Sequence, residues 1–367
     1  MNSFSTVRKP DYFIILCVAF LILFGLVMLV SASADLGKNK FDDSYFYIKH
    51  QLIYGLIPGI IGFFLALKIY YGVYEKWALP ILGFTILLLL LVFTPLGFKA
   101  GGAERWLQIG SITFQPSELL KLSFVIYFAA WLSGDEERQK SFRRGLLPFL
   151  ALIGVIGLIL FKQPSTSTFA VLAATAGVIY LVSGARIIHI FLGLLSFAVL
   201  IVGISYFSPY RWARIVTFFN PETNMETSGY HINQALTAIG SGGFAGVGFG
   251  QSTTKIKYLP EPIGDSIFAV VAEELGFIGA SFVIILITLL TIRILSLAKN
   301  ISNKFGRLLM VGFGSFIAIQ SFMNIASISG VIPLTGVPLP FISYGGTTLA
   351  VFMTMSGIVA NISKYAK

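Results

Sequence analysis

Apolar runs close to the ~20 residues needed to span a bilayer recur along the chain at about 12–31, 51–69, 77–95, 114–133, 146–161, 167–183, 187–207, 266–292, 307–332 and 341–362. Each predicts a membrane helix, so the expected architecture is an all-α polytopic membrane protein with ten transmembrane helices. Most of the connecting segments are short. The exception is a long outer loop, about 208–264, between helices 7 and 8; loops of that length are usually functional or disordered. Ile232, Ala235, Leu236 and Ile239 recur in it at helical spacing, which predicts an ordered loop. Residues 1–367 are expected to form a single integral membrane domain.

Two stretches break the apolar pattern in another way. Gly240 to Gly250 reads GSGGFAGVGFG, which superficially looks like a phosphate-binding glycine loop. It follows no predicted strand and opens no βαβ unit, so tight backbone turns are the expectation. Ser329 to Thr348, SGVIPLTGVPLPFISYGGTT, contains Pro333, Pro338 and Pro340 and cannot form one continuous helix. Irregular backbone at membrane depth is tolerated only where protein or a water-filled cavity covers it. Two readings stay open for it, a plain outer turn or a segment lining a cavity.

Composition agrees with the pattern: the 367 residues are 56% hydrophobic and 11% charged, against about 25% charged in ordinary soluble domains. Mean hydropathy is +0.84. Summed over alternate loops, more than half of the 26 Lys and Arg residues fall on the side of the N-terminus, which predicts that both termini are cytoplasmic. The net charge of +10 is scattered over short loops without a basic stripe, which argues for topology signals and anionic lipid and against nucleic acid. The run before SASA (Ser31 to Ala34) is too long for a signal-peptide core, so an uncleaved first helix is expected. The single cysteine, Cys17, excludes an internal disulfide, and His50, His189 and His231 lie on different loops, so no metal site is expected.

Candidate chemistry is confined to a few ionisable residues. Carboxylates in a membrane are costly and default to function. In KYLPEPIGDSIFAVVAEELGF, Asp265 is either an N-cap for the following helix or a reactive carboxylate at the membrane surface. Ala269, Ala272, Gly276 and Ala280 share its helix face, so that face is expected to point into the bundle against a closely approaching helix. Glu273 lies about 12 Å deeper and Glu274 on the opposite side, which points to pairing with other helices or a polar pocket. In FQPSELLK, Glu118 and Lys121 are spaced to pair on one helix face, as a structural ion pair or as part of a site. Arg105, Arg211, Arg214, Lys255 and Lys257 lie in outer segments, where cations beside a cavity can bind phosphate.

The blocks RWLQIG, QPSELLK, KQP, YRWARI followed by FNP, GYHINQALTAIGSGGFAGVGFGQS, YLPEPIGDSIFAVVAEELGFIG and TGVPLPFISYGG run in order from about Tyr12 to Ser363. They resemble the SEDS family, the RodA and FtsW glycosyltransferases of bacterial cell-wall synthesis, with a slight lean to FtsW from the glycine-rich loop and YRWARI. The resemblance implies a peptidoglycan glycosyltransferase in the bacterial cytoplasmic membrane that polymerises lipid II on the outer face. It also implies a class B penicillin-binding protein, a transpeptidase, as partner. Asp265 matches the family's catalytic base. Arg105, Glu118 and Lys121 match its polar residues around a central cavity, with Arg211 and Lys257 as further expected substrate contacts. The chain departs from the family pattern at Ser165, where many members carry an acid, and at Gly264-Asp265-Ser266, where Asp265 itself stays in place.

What the resemblance implies can be written as chemistry. A base takes the proton of a sugar hydroxyl, and cations stabilise the departing pyrophosphate. The cations are Lys and Arg or a bound divalent ion such as Mg2+. An α-linked donor and a β-1,4 product require direct inversion with one base. The rival readings are a flippase for lipid-linked precursor and a non-catalytic scaffold for a synthase partner.

Overall fold

The computed structural model describes residues 8–366 apart from 101–102, 111, 136–137, 207–208 and 221–227. The chain begins with helix α1 (Tyr12–Phe41), capped by Asp11, whose side chain accepts from the Ile14 amide. Helix α2 (Phe46–Lys68) contains a π-helical turn at Leu52–Leu56. Helix α3 (Gly72–Leu91) follows. Next come strands β1 (Gly97–Ala100), β2 (Ala103–Ile109) and β3 (Ile112–Phe114). Helices α4 (Pro116–Ser133), α5 (Phe142–Lys162), α6 (Thr166–Val182) and α7 (Ile187–Tyr206) then run back and forth.

The long segment after α7 is ordered where described, as the spacing of its apolar residues predicts. It carries α8 (Pro209–Phe219), α9 (Ser228–Ser241) and the short α10 (Thr254–Lys257). The bundle is completed by α11 (Ile267–Lys299), α12 (Lys304–Ile328) and α13 (Gly346–Ser363).

Every apolar run read from the sequence lies on a helix. Among the described residues, seven helices are long and apolar enough to cross a membrane: α1, α2, α3, α5, α11, α12 and α13. Helix α4 carries the buried charges Glu118 and Lys121, and α6 is short. The chain is a multi-pass membrane protein. Helices α12 and α13 form its interior, with Phe305, Phe313, Phe316 and Phe352 fully buried. Leu79, Phe84 and Leu158 project from the outer helices, as expected for side chains facing acyl chains.

The three-stranded antiparallel sheet, ordered β1-β2-β3, is an addition to the all-helical expectation. Strand β2 opposes Phe98 with Trp106 and Leu107 with Phe114. Arg105 falls at a bulge in this pairing, between Glu104 opposite Lys99 and Trp106 opposite Phe98.

The glycine-rich loop turns tightly, with positive φ at Gly243, Gly246, Gly248 and Gly250. It also does something the sequence did not announce. Helix α11 is broken at Gly276 (φ 64°, ψ −160°), and the loop lies against the break. The Val247 and Gly248 amides donate to the carbonyls of Glu273 and Glu274, and the Phe277 amide donates to Gly243. A Cβ on Gly276 would sit 2.3 Å from the Gly246 nitrogen, so only glycine permits the approach. Around Ala272 and Gly276 the small-residue face of α11 is therefore covered by this loop.

Beside the break, Ser252 and Thr254 hydroxyls and the Thr253 and Thr254 amides all donate to the Glu273 carboxylate. Lys255 Nζ meets Glu274 at 2.5 Å, and Ser31 of α1 donates to the same carboxylate. The pairing expected for both glutamates is thus realised.

Candidate active site

A polar cavity of about 480 Å³ opens where the start of α4, the corner between α5 and α6, helix α8 and the segment 332–338 meet. The proline- and glycine-broken stretch after α12 lines it, so that segment is a cavity wall and not a plain turn. The floor of the corner is a row of hydroxyl residues, Ser165 to Thr168. Ser165 Oγ donates to Thr168 Oγ1 at 2.9 Å, and no charge stands at the position where the family pattern has an acid.

Four of the candidate side chains line this cavity: Arg105, Glu118, Arg211 and Arg214. Pro116 starts α4, and Glu118 in its first turn meets Lys121 Nζ at 2.6 Å. Lys121 also donates to Gln320 Oε1 at 3.1 Å and lies over the rings of Phe316 and Phe352. Both members of the pair are buried. Glu118 faces the cavity, and its Oε2 has no hydrogen-bond partner among the described residues. Lys121 is enclosed behind it. That position corrects the expectation of Lys121 as a substrate contact: it is the counter-charge to Glu118.

Arg105 reaches from β2 to the α5/α6 corner, where Nε donates to the Gln163 carbonyl at 3.0 Å and Nη2 to that of Pro164. It therefore builds the cavity wall as well as facing the cavity. Arg211 lies over the Phe161 ring and donates to the Phe161 carbonyl at 3.2 Å; burial pulls its pKa below the usual arginine value. Arg214, one helical turn on, also lines the cavity and donates to Leu334 O at 3.2 Å. Lys257 ends α10, and its side chain lies outside the described residues. Lys255 is committed to Glu274 and takes no part in the cavity.

Asp265 sits immediately behind the cavity wall. Of the wall residues, Gly336 approaches it: it has φ 68°, and a Cβ there would lie 3.5 Å from Asp265 Oδ2 and 3.8 Å from Arg214 Nη1. Asp265 does not cap α11: that position belongs to Ser266, and no side chain closes it. Its Oδ1 is shielded from solvent without a hydrogen-bond partner among the described residues. Burial, helped by the nearby negative charge of Glu261 and opposed by Arg214, pushes its carboxyl up to about 7. A proton is therefore gained and lost near neutrality, where a general base is most effective.

The turn carrying Asp265 is held from three sides. Asn324 Nδ2 of α12 donates to the Asp265 carbonyl and to the Val337 carbonyl, each at 2.7 Å, so one amide ties the carboxylate's backbone to the cavity wall. Ser343 donates to the Gly264 carbonyl at 2.7 Å, and the Tyr344 amide to that of Ile263. Ser266 donates to the Pro260 carbonyl, so His231 of α9, 2.7 Å away, must donate to Ser266 from Nε2. Burial and then Arg214 lower the His231 pKa to about 4, which keeps that ring neutral.

A family model described as cell cycle protein, covering FtsW, RodA and SpoVE, matches residues 11–367. The chain belongs to the FtsW/RodA/SpoVE family. It is 39% identical over 361 residues, 98% of each chain, to stage V sporulation protein E of Bacillus subtilis. It is 36% identical to the "probable peptidoglycan glycosyltransferase FtsW" of a Geobacter species, over 97% of each chain. Among solved structures it is similar to a chain of a peptidoglycan synthase complex that coordinates polymerization and crosslinking (TM-score 0.79, 26% identity, 96% of this chain and 97% of that one). It is also similar to the rod shape determining protein RodA of Thermus thermophilus (TM-score 0.71, 26% identity, 96% of each chain).

The family site is thus assembled from residues of two kinds. Asp265, Arg105, Glu118, Arg211 and Arg214 were legible as candidates. Asn324, Gly336 and the hydroxyl row were not singled out as site residues, although the prolines and glycines of 329–348 marked the wall to which Gly336 belongs.

Proposed function

We propose that this chain is a peptidoglycan glycosyltransferase that polymerises lipid II into β-1,4 glycan strands, working as one membrane-embedded unit. The observation that carries the reading is a carboxylate with a pKa of about 7 behind the wall of a cavity that also presents guanidinium groups. The membership of the family and the names of the relatives support it. In the step proposed, the acceptor sugar's hydroxyl loses its proton to Asp265 as its oxygen attacks the donor's anomeric carbon from the face opposite the leaving group. The bond from that carbon to the pyrophosphate oxygen breaks, and configuration inverts. The pyrophosphate leaves with its negative charge against Arg211, Arg214 and Arg105, where guanidinium forks suit phosphate oxygens.

Among the described residues no three His, Cys, Asp or Glu side chains converge as a metal site. In the reading proposed, the guanidinium groups of the cavity hold the leaving group. The hydroxyl row at 165–168 suits sugar hydroxyls. The cavity opens at the end of the bundle that the distribution of basic residues assigns to the outer face, with both termini cytoplasmic. A class B penicillin-binding protein, a transpeptidase, is the proposed partner, and would crosslink the strands made here.

The purified chain supplied with lipid II tests the reading. Glycan polymer is the expected product. Movement of lipid II across a vesicle membrane without polymer would make the chain a flippase, and neither result would leave it a scaffold.

A further inference from the structure

A second cavity runs along α6. The polar cavity is built on the start of α4, the corner between α5 and α6 and the start of α6. The second cavity runs from Phe169, between Thr168 and Ala170 of the polar cavity, to Tyr180 at the other end of α6, and takes its remaining lining from the first half of α5 and the first half of α7. It measures about 200 Å³ and is lined by apolar side chains such as Phe149, Ile153, Phe169 and Phe197. Three of its lining residues are glycines, one on each helix: Gly154, Gly177 and Gly193. A Cβ at Gly154 or Gly177 would meet nothing within 4 Å, so these glycines serve no close helix contact and instead widen the space between helices.

The polar end of this cavity is specific. Tyr180 and His189 line it, and both approach the Gln139 carbonyl, Tyr180 Oη at 3.1 Å and His189 Nδ1 at 3.3 Å. The chain segments that meet at this knot are basic. Arg143 and Arg144 precede Gly145, whose added Cβ would lie 3.2 Å from Tyr180 Oη. The His189 amide donates to the carbonyl oxygen of Arg186. All three arginine side chains are exposed, and among the described residues none makes an ion pair. An apolar slot whose polar end adjoins chain segments bearing three exposed arginines suits one ligand shape, a hydrocarbon chain bearing an anionic head group.

We propose that the slot between α5, α6 and α7 binds an anionic phospholipid, with an acyl chain against Phe149, Phe169 and Phe197 and its phosphate against Arg143, Arg144 and Arg186. The proposal needs only the membrane setting and does not depend on the enzymatic reading. It gives α7 a packing partner on its inner half. Because α7 runs on toward α8, which carries Arg211 and Arg214, the lipid braces the support of the polar cavity.

The test uses the full chain in nanodiscs of phosphatidylcholine alone or of phosphatidylcholine mixed with phosphatidylglycerol. Native mass spectrometry after detergent extraction then reads the lipid retained. The unmodified chain should keep one phosphatidylglycerol in preference to phosphatidylcholine. Gly177→Leu fills open space and should fold, with an unchanged melting temperature in phosphatidylcholine, yet lose the retained lipid. Replacing the three arginines by glutamine should leave the slot intact and reduce the head-group preference by about fivefold per arginine.

Retention unchanged in Gly177→Leu would overturn the site. Loss of preference in the arginine variant with no effect of Gly177→Leu would mean surface attraction only, which also overturns it. Equal retention of phosphatidylcholine by the unmodified chain, or full displacement by a neutral polyprenol, would overturn the anionic-lipid assignment.

Discussion

Asp265 and the pair Glu273/Glu274 lie within ten residues of one another, yet their surroundings differ in kind: the glutamates are buried, whereas Asp265 is half-buried with its Oδ1 shielded from water. Glu273 receives two hydroxyls and two backbone amides, and Glu274 receives a lysine and a serine. Every charge there has a partner, as a buried carboxylate requires if it is to stay structural. Asp265 has an Oδ1 without a partner, a negative neighbour in Glu261 and a carboxyl raised to about 7. The fold leaves that group under-satisfied while fixing its backbone through Asn324, Ser343 and Tyr344. A carboxylate rigidly placed and poorly solvated is suited to taking a proton; a fully bonded one is suited to joining helices.

The contrast can be broken most directly at Asp265. Asp265→Asn should lower polymerisation by ~10²- to 10⁴-fold or more while the protein stays folded. The raised pKa fixes the sign of the stability effect. The protonated carboxyl is the form the fold favours, and its contribution is lost as pH rises through about 7. Above that pH the asparagine variant should melt no lower than the unmodified chain, and a large fall in its melting temperature would show that Asp265 is structural.

The opposite outcome is expected beside the helix break. Lys255→Met leaves Glu274 buried without its cation and should cost about 3–5 kcal/mol of stability, read by thermal unfolding in matched detergent. Adding Glu274→Leu should restore much of it. If the single variant were as stable as the parent but failed in turnover per folded molecule, Lys255 and Glu274 would belong with the chemistry.

The sequence made the contrast partly visible. Apolar runs gave the helices because lipid imposes length and composition on a spanning segment. The spacing of Glu118 and Lys121 gave their pairing because i,i+3 neighbours meet on any helix. Helical geometry also separated Asp265 from Glu274. What stayed hidden depends on segments far apart in the chain. Arg105 reaches the corner at Gln163 because β2 folds back over the bundle, and the short apolar alternation of AERWLQI is too weak a strand signal amid longer helical runs. Gly276 reads as part of a small-residue face, and nothing local says that a loop thirty residues earlier will break the helix there. Asp265 reads as a good cap because capping is judged from neighbours, while its real environment comes from Gly336, Asn324 and Arg214.

Glu118 stands between the two extremes, one oxygen paired with Lys121 and the other without a partner. Removing Glu118 or Lys121 alone should destabilise the protein and reduce turnover. A double-mutant cycle should return a coupling of ~1–3 kcal/mol, smaller than the loss at Lys255 because Gln320 and two aromatic rings remain around the ammonium. Additive effects on unfolding would mean that the 2.6 Å contact carries no energy. Additive effects on turnover would mean that Glu118 meets substrate independently of its lysine.

The smallest effect expected is also the most specific to a proton-transfer role. Burial is the main cause of the raised Asp265 carboxyl, and the charge of Glu261 is the second. Glu261→Gln removes the second cause and leaves the first, so the Asp265 pKa should fall, by less than about one unit for an exposed neighbour. If Asp265 is the base, kcat/KM rises with pH through the carboxyl's pKa of about 7 as the carboxylate forms. In Glu261→Gln that rising limb should move to lower pH with little change in the plateau. A limb that stays in place would assign the titration to another group. A limb that moves to higher pH would mean that Glu261 assists ionisation of Asp265, which would reverse the electrostatic reading of the turn.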